Sequence, residues 1–227
     1  MKALIWKRFN EFKTNKIKWS IFLLFPIIYL SVLLIFLSSH SVIVAYYCLG
    51  VVLIHNLIHW NIEDIIHGES LLSTPLTPFT IWFSNAIMVT ITGYLYSLLI
   101  LLIYVTSYLM VMNIPYVEGV LPFLQNLSNF VLGFALISIG SIHYADFSKV
   151  KQYATSIFGI FNLVFPFILP FYGYLFPVNL QTVLLCLVTG IVLFIISFLL
   201  VRKSKRETLV INIAKLSEAY ENQMMND

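Results

Sequence analysis

Four side chains spaced by four residues have the types that do chemistry: His55, His59, Glu63 and His67. On a continuous helix they would stack on one face, and a His-x3-His pair is a workable divalent-metal ligand set. A metal enzyme built on His55, His59 and Glu63 is therefore one reading. The other is that the face turns inward, with His55, His59 and the isolated Asn162 lining a polar cavity among apolar helices. Asn162 alone reads first as an interhelical hydrogen bond. A metal enzyme needs further ligands, and His143 is the one candidate at a comparable depth.

The stripe runs into a short polar island, residues 61–78, NIEDIIHGESLLSTPLTP. It carries Glu63, Asp64 and Glu69 with no Lys or Arg, and its Thr74-Pro75-Leu76-Thr77-Pro78 tail reads as a helix stop. An acidic, helix-forming segment between long apolar runs is not needed for folding, and we read it as a docking element for another protein.

The rest of the chain must place that island. Of 227 residues, 60% are hydrophobic and 10% charged, a balance that points to the bilayer as solvent. Cys48 and Cys186 lie in apolar runs and read as small core residues, neither a disulfide framework nor a metal knuckle. There is no GxxxxGK[ST] phosphate loop, no GxSxG and no HExxH, so ATP hydrolysis by the P-loop route would need a separate subunit.

The expected fold is an all-α integral membrane protein with six transmembrane helices. Residues 1–19 form a basic amphipathic helix in the headgroup layer, with Ile5, Phe9 and Phe12 on one side. Spans follow at 20–37 (bent near Pro26), 42–60, 86–112 (with 79–85 interfacial), 123–142, 153–171 (interrupted by Pro166 and Pro170) and 180–201. The connections are a tight turn at 38–41, loops at 113–122 and 171–179, and a polar turn at 143–152. Residues 20–201 thus make the membrane domain. Residues 202–227 make a basic cytoplasmic tail, with Leu209, Ile213, Leu216 and Tyr220 at helical spacing.

Orientation follows from the cations. Lys2, Lys7, Arg8, Lys13, Lys16 and Lys18 precede the first span, Lys149 and Lys151 sit in the 143–152 turn beside Asp146, and Arg202, Lys203, Lys205, Arg206 and Lys215 are in the tail. These are all 13 Lys and Arg, and the loops on the other side carry only Glu118. By the positive-inside rule both termini, the island and the 143–152 turn are cytoplasmic. The cations thus read as topology signals, with no nucleic-acid partner.

The island's order of acidic residues, Gly68, Ser70-Leu71-Leu72 and Thr74-Pro75-Leu76-Thr77 resembles the coupling-helix region of ABC-2-type (type V) ABC transporter permeases. The layout is similar too: an elbow helix, six spans, a coupling helix between spans 2 and 3, and a hydrophobic re-entrant segment before span 6, matched here by residues 165–179. A basic residue common in that motif is missing, and the outer loops are short. The resemblance implies a permease subunit with no catalytic residues or cofactor of its own, partnered by an ABC ATPase that carries ATP and Mg. A second permease chain, identical or similar, and membrane lipid complete the expected partners. Glu63, Asp64, Gly68, Glu69, Leu71, Leu72, Thr74 and Pro75 would dock on the ATPase, and Asp146, Lys149 and Lys151 form the second cytoplasmic turn. The family implies export of hydrophobic or amphipathic cargo, such as an antimicrobial peptide, drug or lipid, across a bacterial plasma membrane. A non-transporting membrane scaffold is the remaining alternative.

Overall fold

Six helices account for the regular structure of the described residues. The structure is a computed structural model that describes residues 16–37, 39–58, 77–112, 119–142, 157–168 and 177–205, with Glu207, Val210, Ile211, Ala214 and Glu218 of the tail. The helices are α1 (Lys16–Phe36), α2 (His40–Ile58), α3 (Pro78–Met112), α4 (Leu121–Gly140), α5 (Ile157–Ile168) and α6 (Leu180–Arg202). Three stretches, Pro78–Tyr108, Leu121–Gly140 and Leu180–Arg202, are long and apolar enough to cross a membrane. Apolar runs of this kind fold as helices because the helix closes every backbone hydrogen bond within its own segment.

Several boundaries differ from the sequence reading. Helix α1 begins at Lys16, so residues 16–19 continue into the first apolar helix. Helix α3 is continuous from Pro78, and residues 79–85 are part of it: Trp82 is fully buried and its indole N–H donates to the Ser138 carbonyl at 2.7 Å. The Thr77–Pro78 pair, read as the end of a helix stop, starts this helix. Thr77 Oγ1 accepts from the Thr80 amide at 3.2 Å as an N-cap, and Pro78 occupies the first helical position, where its missing N–H costs nothing. The same logic places Leu121 and Pro122 in the first turn of α4. Helix α6 is capped by Asn179, whose Oδ1 accepts from the Thr182 amide at 2.9 Å while Thr182 Oγ1 accepts from the Asn179 amide at 3.2 Å. The described part of the fifth apolar segment is α5. The segment 1–15, the island from 59 to 76, the turn at 143–156 and the 169–176 stretch lie outside the described residues. So do Leu209, Ile213, Leu216 and Tyr220 of the tail stripe, whose described neighbours Val210 and Ile211 are helical and exposed.

Helix α2 is the centre of the bundle. Every residue from 43 to 56 is buried, whatever face of the helix it occupies. Helix α4 packs along α2 on one side and along α6 on another, and α1 and α3 close over α2 through Tyr29, Leu30, Leu33, Ile43, Tyr47 and Leu101. A helix apolar all round and enclosed by others is a core helix, with no polar face to present. The periphery is the reverse: α5 and α6 expose Ile157, Ile160, Phe167, Leu184, Val188 and Ile191, among others. Water does not tolerate an apolar surface on this scale, and lipid does.

Gly190 sets the α4–α6 distance. A Cβ there would lie 3.0 Å from the Leu132 amide nitrogen and 3.1 Å from its Cα, so the two backbones touch where the side chain is absent. Backbone cannot swing aside. Gly190→Ala is therefore expected to destabilise the protein by about 1–3 kcal/mol, read as a lowered thermal midpoint in detergent. Gly159→Ala on α5, where a Cβ would meet nothing within 4 Å, is the control and should be neutral or stabilising.

Candidate functional site

Among the buried polar side chains of the described residues, the carboxamides and His55 form two groups. The first is a carboxamide seam on α4. Asn126 Nδ2 donates to the Val44 carbonyl and Asn129 Nδ2 to the Ala45 carbonyl, both at 2.7 Å. These acceptors are consecutive carbonyls of the central helix. Each already belongs to the α2 ladder, and a carbonyl's second lone pair takes the added donor. Tyr94 of α3 donates its hydroxyl proton to Asn126 Oδ1 at 2.6 Å, and Gln125 Nε2 reaches Asn129 Oδ1 at 3.1 Å and Cys186 Sγ of α6 at 3.3 Å. One buried seam thereby joins α2, α3, α4 and α6. Gln125, Asn126 and Asn129 are all buried, and Gln125 Oε1 alone among the seam's carboxamide atoms lacks a protein partner.

Sequence reading missed this seam. Its signal was present, since Gln125, Asn126, Ser128 and Asn129 are four polar residues within five positions of an apolar run. They carry no charge and match no catalytic spacing, so composition passed over them.

The second group contains His55, Asn56, Thr92 and Asn162. His55 is buried, and its Nε2 lies 3.2 Å from Thr92 Oγ1. Thr92 commits its own proton to the Met88 carbonyl at 2.7 Å, which leaves the histidine Nε2 as the donor. The ring packs against Phe22 at a centroid distance of 4.7 Å and against Gly93, where a Cβ would lie 2.9 Å from His55 Cδ2. A metal ion on Nε2 would have to displace Thr92. Asn162 was expected as an interhelical hydrogen bond, and here the structure corrects the sequence. The side chain is fully buried on α5, yet neither Nδ2 nor Oδ1 has a protein partner. Its Nδ2 and that of Asn56 lie 3.2 Å and 3.4 Å from the point a Cβ on Gly140 would occupy. The structure thus brings Asn162 to the same end of the bundle as His55 and Asn56. His59, Glu63, Asp64, His67, Gly68, Glu69, Leu71, Leu72, Thr74 and Pro75 lie outside the described residues, as do His143, Asp146, Lys149 and Lys151. Among the described residues no group of three or more His, Cys, Asp or Glu side chains forms a metal-binding cluster.

Chemically, both groups are made of neutral donors and acceptors. Cys48 and Cys186 are unpaired, the first buried and the second partly so. Such groups orient helices and bind polar ligands; they are not a nucleophile-and-base constellation.

The described chain is all-helical and compatible with a membrane protein. No family model, no curated protein and no solved structure matches it.

The seam makes a measurable claim. Interhelical hydrogen bonds between membrane helices average about 0.6 kcal/mol and reach about 1.7 kcal/mol. Asn126→Leu removes two of them, and we expect a loss of about 1–3 kcal/mol. Asn126→Leu with Asn129→Leu should lose more than either alone in a thermal or steric-trapping unfolding measurement. A double variant as stable as the parent would show that α2 is held by packing alone.

Proposed function

We propose that the chain is the permease subunit of an ATP-driven exporter of the ABC-2 type. It spans the plasma membrane six times, begins with an amphipathic elbow helix and keeps both termini in the cytoplasm. The observation that carries this reading is the 61–78 island: acidic residues, Gly68, Leu71-Leu72 and Thr74-Pro75-Leu76-Thr77, set between two apolar helices on the side where every Lys and Arg lies. The Thr77 cap supports it, because the last residues of the island, Thr77 and Pro78, start the 35-residue helix α3.

In this reading Glu63, Asp64 and Glu69 offer charges to a separate nucleotide-binding subunit, and Leu71 and Leu72 anchor the segment in its cleft. The chain holds no ATP and Mg site of its own; those belong to the partner. Two permease chains, identical or similar, line the pathway, and closure of the two ATPases drives the paired islands together as rigid bodies. An apolar, aromatic-rich pathway with neutral carboxamides suits an amphipathic cargo, such as a peptide with antimicrobial character, a drug or a lipid. Helix α2 carries His55 near the island end and is gripped at its other end by Asn126 and Asn129, so a push on the island acts on a helix fixed at its far side.

Co-expression with the ATPase encoded beside it, and purification through a tag on this chain alone, tests the proposal. The parent chain is expected to bring down the ATPase from mild detergent, and Glu63→Lys with Glu69→Lys is expected to abolish that. Undiminished co-purification of the charge-reversed chain would sink the docking role of the island.

A further inference from the structure

Helix α5 carries an internal contradiction at Asn162. The residue is 0% exposed, and neither polar atom of its carboxamide meets a protein partner. Leaving one such buried group unsatisfied costs about 1–3 kcal/mol, and here there are two. The backbone adds a third. Pro166 stands four residues on and has no N–H, so the Asn162 carbonyl cannot receive its helical bond. Both polar atoms of this buried side chain therefore lack a protein partner, and the same residue's carbonyl lacks its helical donor.

The surroundings suit a small guest. Gly140 of α4 faces this place, and the Nδ2 atoms of Asn162 and Asn56 flank the position its Cβ would take, at 3.2 and 3.4 Å. A Cβ at 140 would crowd both carboxamides. Asn56 belongs to the central helix α2, so donors and acceptors from α5 and α2 meet beside a glycine of α4. A guest here must both donate and accept, must be neutral because no charged side chain is described beside it, and must be small. Water meets all three conditions, and prolines in apolar helices commonly have their freed carbonyls satisfied by ordered water.

We propose that one internal water molecule bridges Asn162 of α5 to Asn56 of α2, where the two carboxamides meet beside Gly140. The site fastens α5 to the bundle. Helix α5 is short and broadly exposed, with Ile157, Ile160, Phe161, Leu163, Val164 and Phe167 facing outward. Its second polar attachment is Tyr29, whose hydroxyl donates to the Pro166 carbonyl at 2.8 Å. That carbonyl's helical donor would be residue 170, another proline. One attachment is thus a tyrosine on a backbone carbonyl and the other a water on a carboxamide. The inference is independent of the exporter reading.

The test is solid-state NMR of the full chain in lipid bilayers, labelled with 15N at asparagine, with the Asn162 signal assigned by its loss in Asn162→Asp or Asn162→Ser. The expected result is a cross-peak from water to the Asn162 Nδ2 protons that persists when mobile bulk water is filtered out. Transfer to those protons from protein protons alone would overturn the site. Asn162→Leu, which keeps the volume and removes the hydrogen bonds, is expected to lower the thermal midpoint by about 2–4 °C. A raised midpoint would mean that a dry, unpaired carboxamide had been relieved, and would overturn the proposal as well.

Discussion

The structure depends on one constraint: backbone carbonyls freed inside an apolar bundle must find donors inside it. Tyrosine hydroxyls are the recurrent donors. Tyr29 serves the Pro166 carbonyl on α5, and Tyr96 and Tyr47 add donors to the Leu23 (3.0 Å) and Pro26 (2.9 Å) carbonyls of α1. The ring of a tyrosine is large and apolar and its tip is a donor, so it fills core volume and reaches a carbonyl at once. Gly50 on α2 exists in this setting to admit Tyr29. A Cβ at residue 50 would come within 2.6 Å of the tyrosine Cε1 and collide with its hydroxyl. Glycine on the central helix, tyrosine on α1 and proline on α5 are thus one arrangement.

The same constraint explains why the central helix needs a polar seam. Helix α2 is apolar on every side, and hydrophobic contacts in lipid do not select one rotation or depth of a helix, because lipid tails are as apolar as leucine. Asn126 and Asn129 do select. Their amides fit two successive carbonyls of α2, a register that a shift of one residue would break. Close approach through Gly190 then fixes α6 against α4.

Much of this was legible in the sequence, for stated reasons. Long apolar runs bounded by Pro, Gly and Asn gave α2, α4 and α6 to within a few residues. The start of α3 was misplaced because proline was weighed as a breaker, while Thr77 before it made the pair a start. The seam was passed over because neutral carboxamides leave no mark in charge or motif patterns, and only the packing of α4 against α2 shows what they meet. Asn162 failed differently: its isolation suggested an interhelical bond, but Pro166 and Gly140 make a setting that one-residue reasoning does not see. His55 is buried against Phe22 and Gly93, with Thr92 as a partner that no spacing rule supplies.

The proposed function requires the 61–78 island to lie in the cytoplasm, on the side opposite the loop that precedes α4. Single cysteines at Ser73→Cys and Gly119→Cys, each in a Cys48→Ala and Cys186→Ala background, test it by labelling in intact cells with a membrane-impermeant maleimide. Labelling is expected at position 119 in intact cells and at position 73 only after the membrane is opened. Labelling of both positions in intact cells, or of position 73 alone, would contradict it.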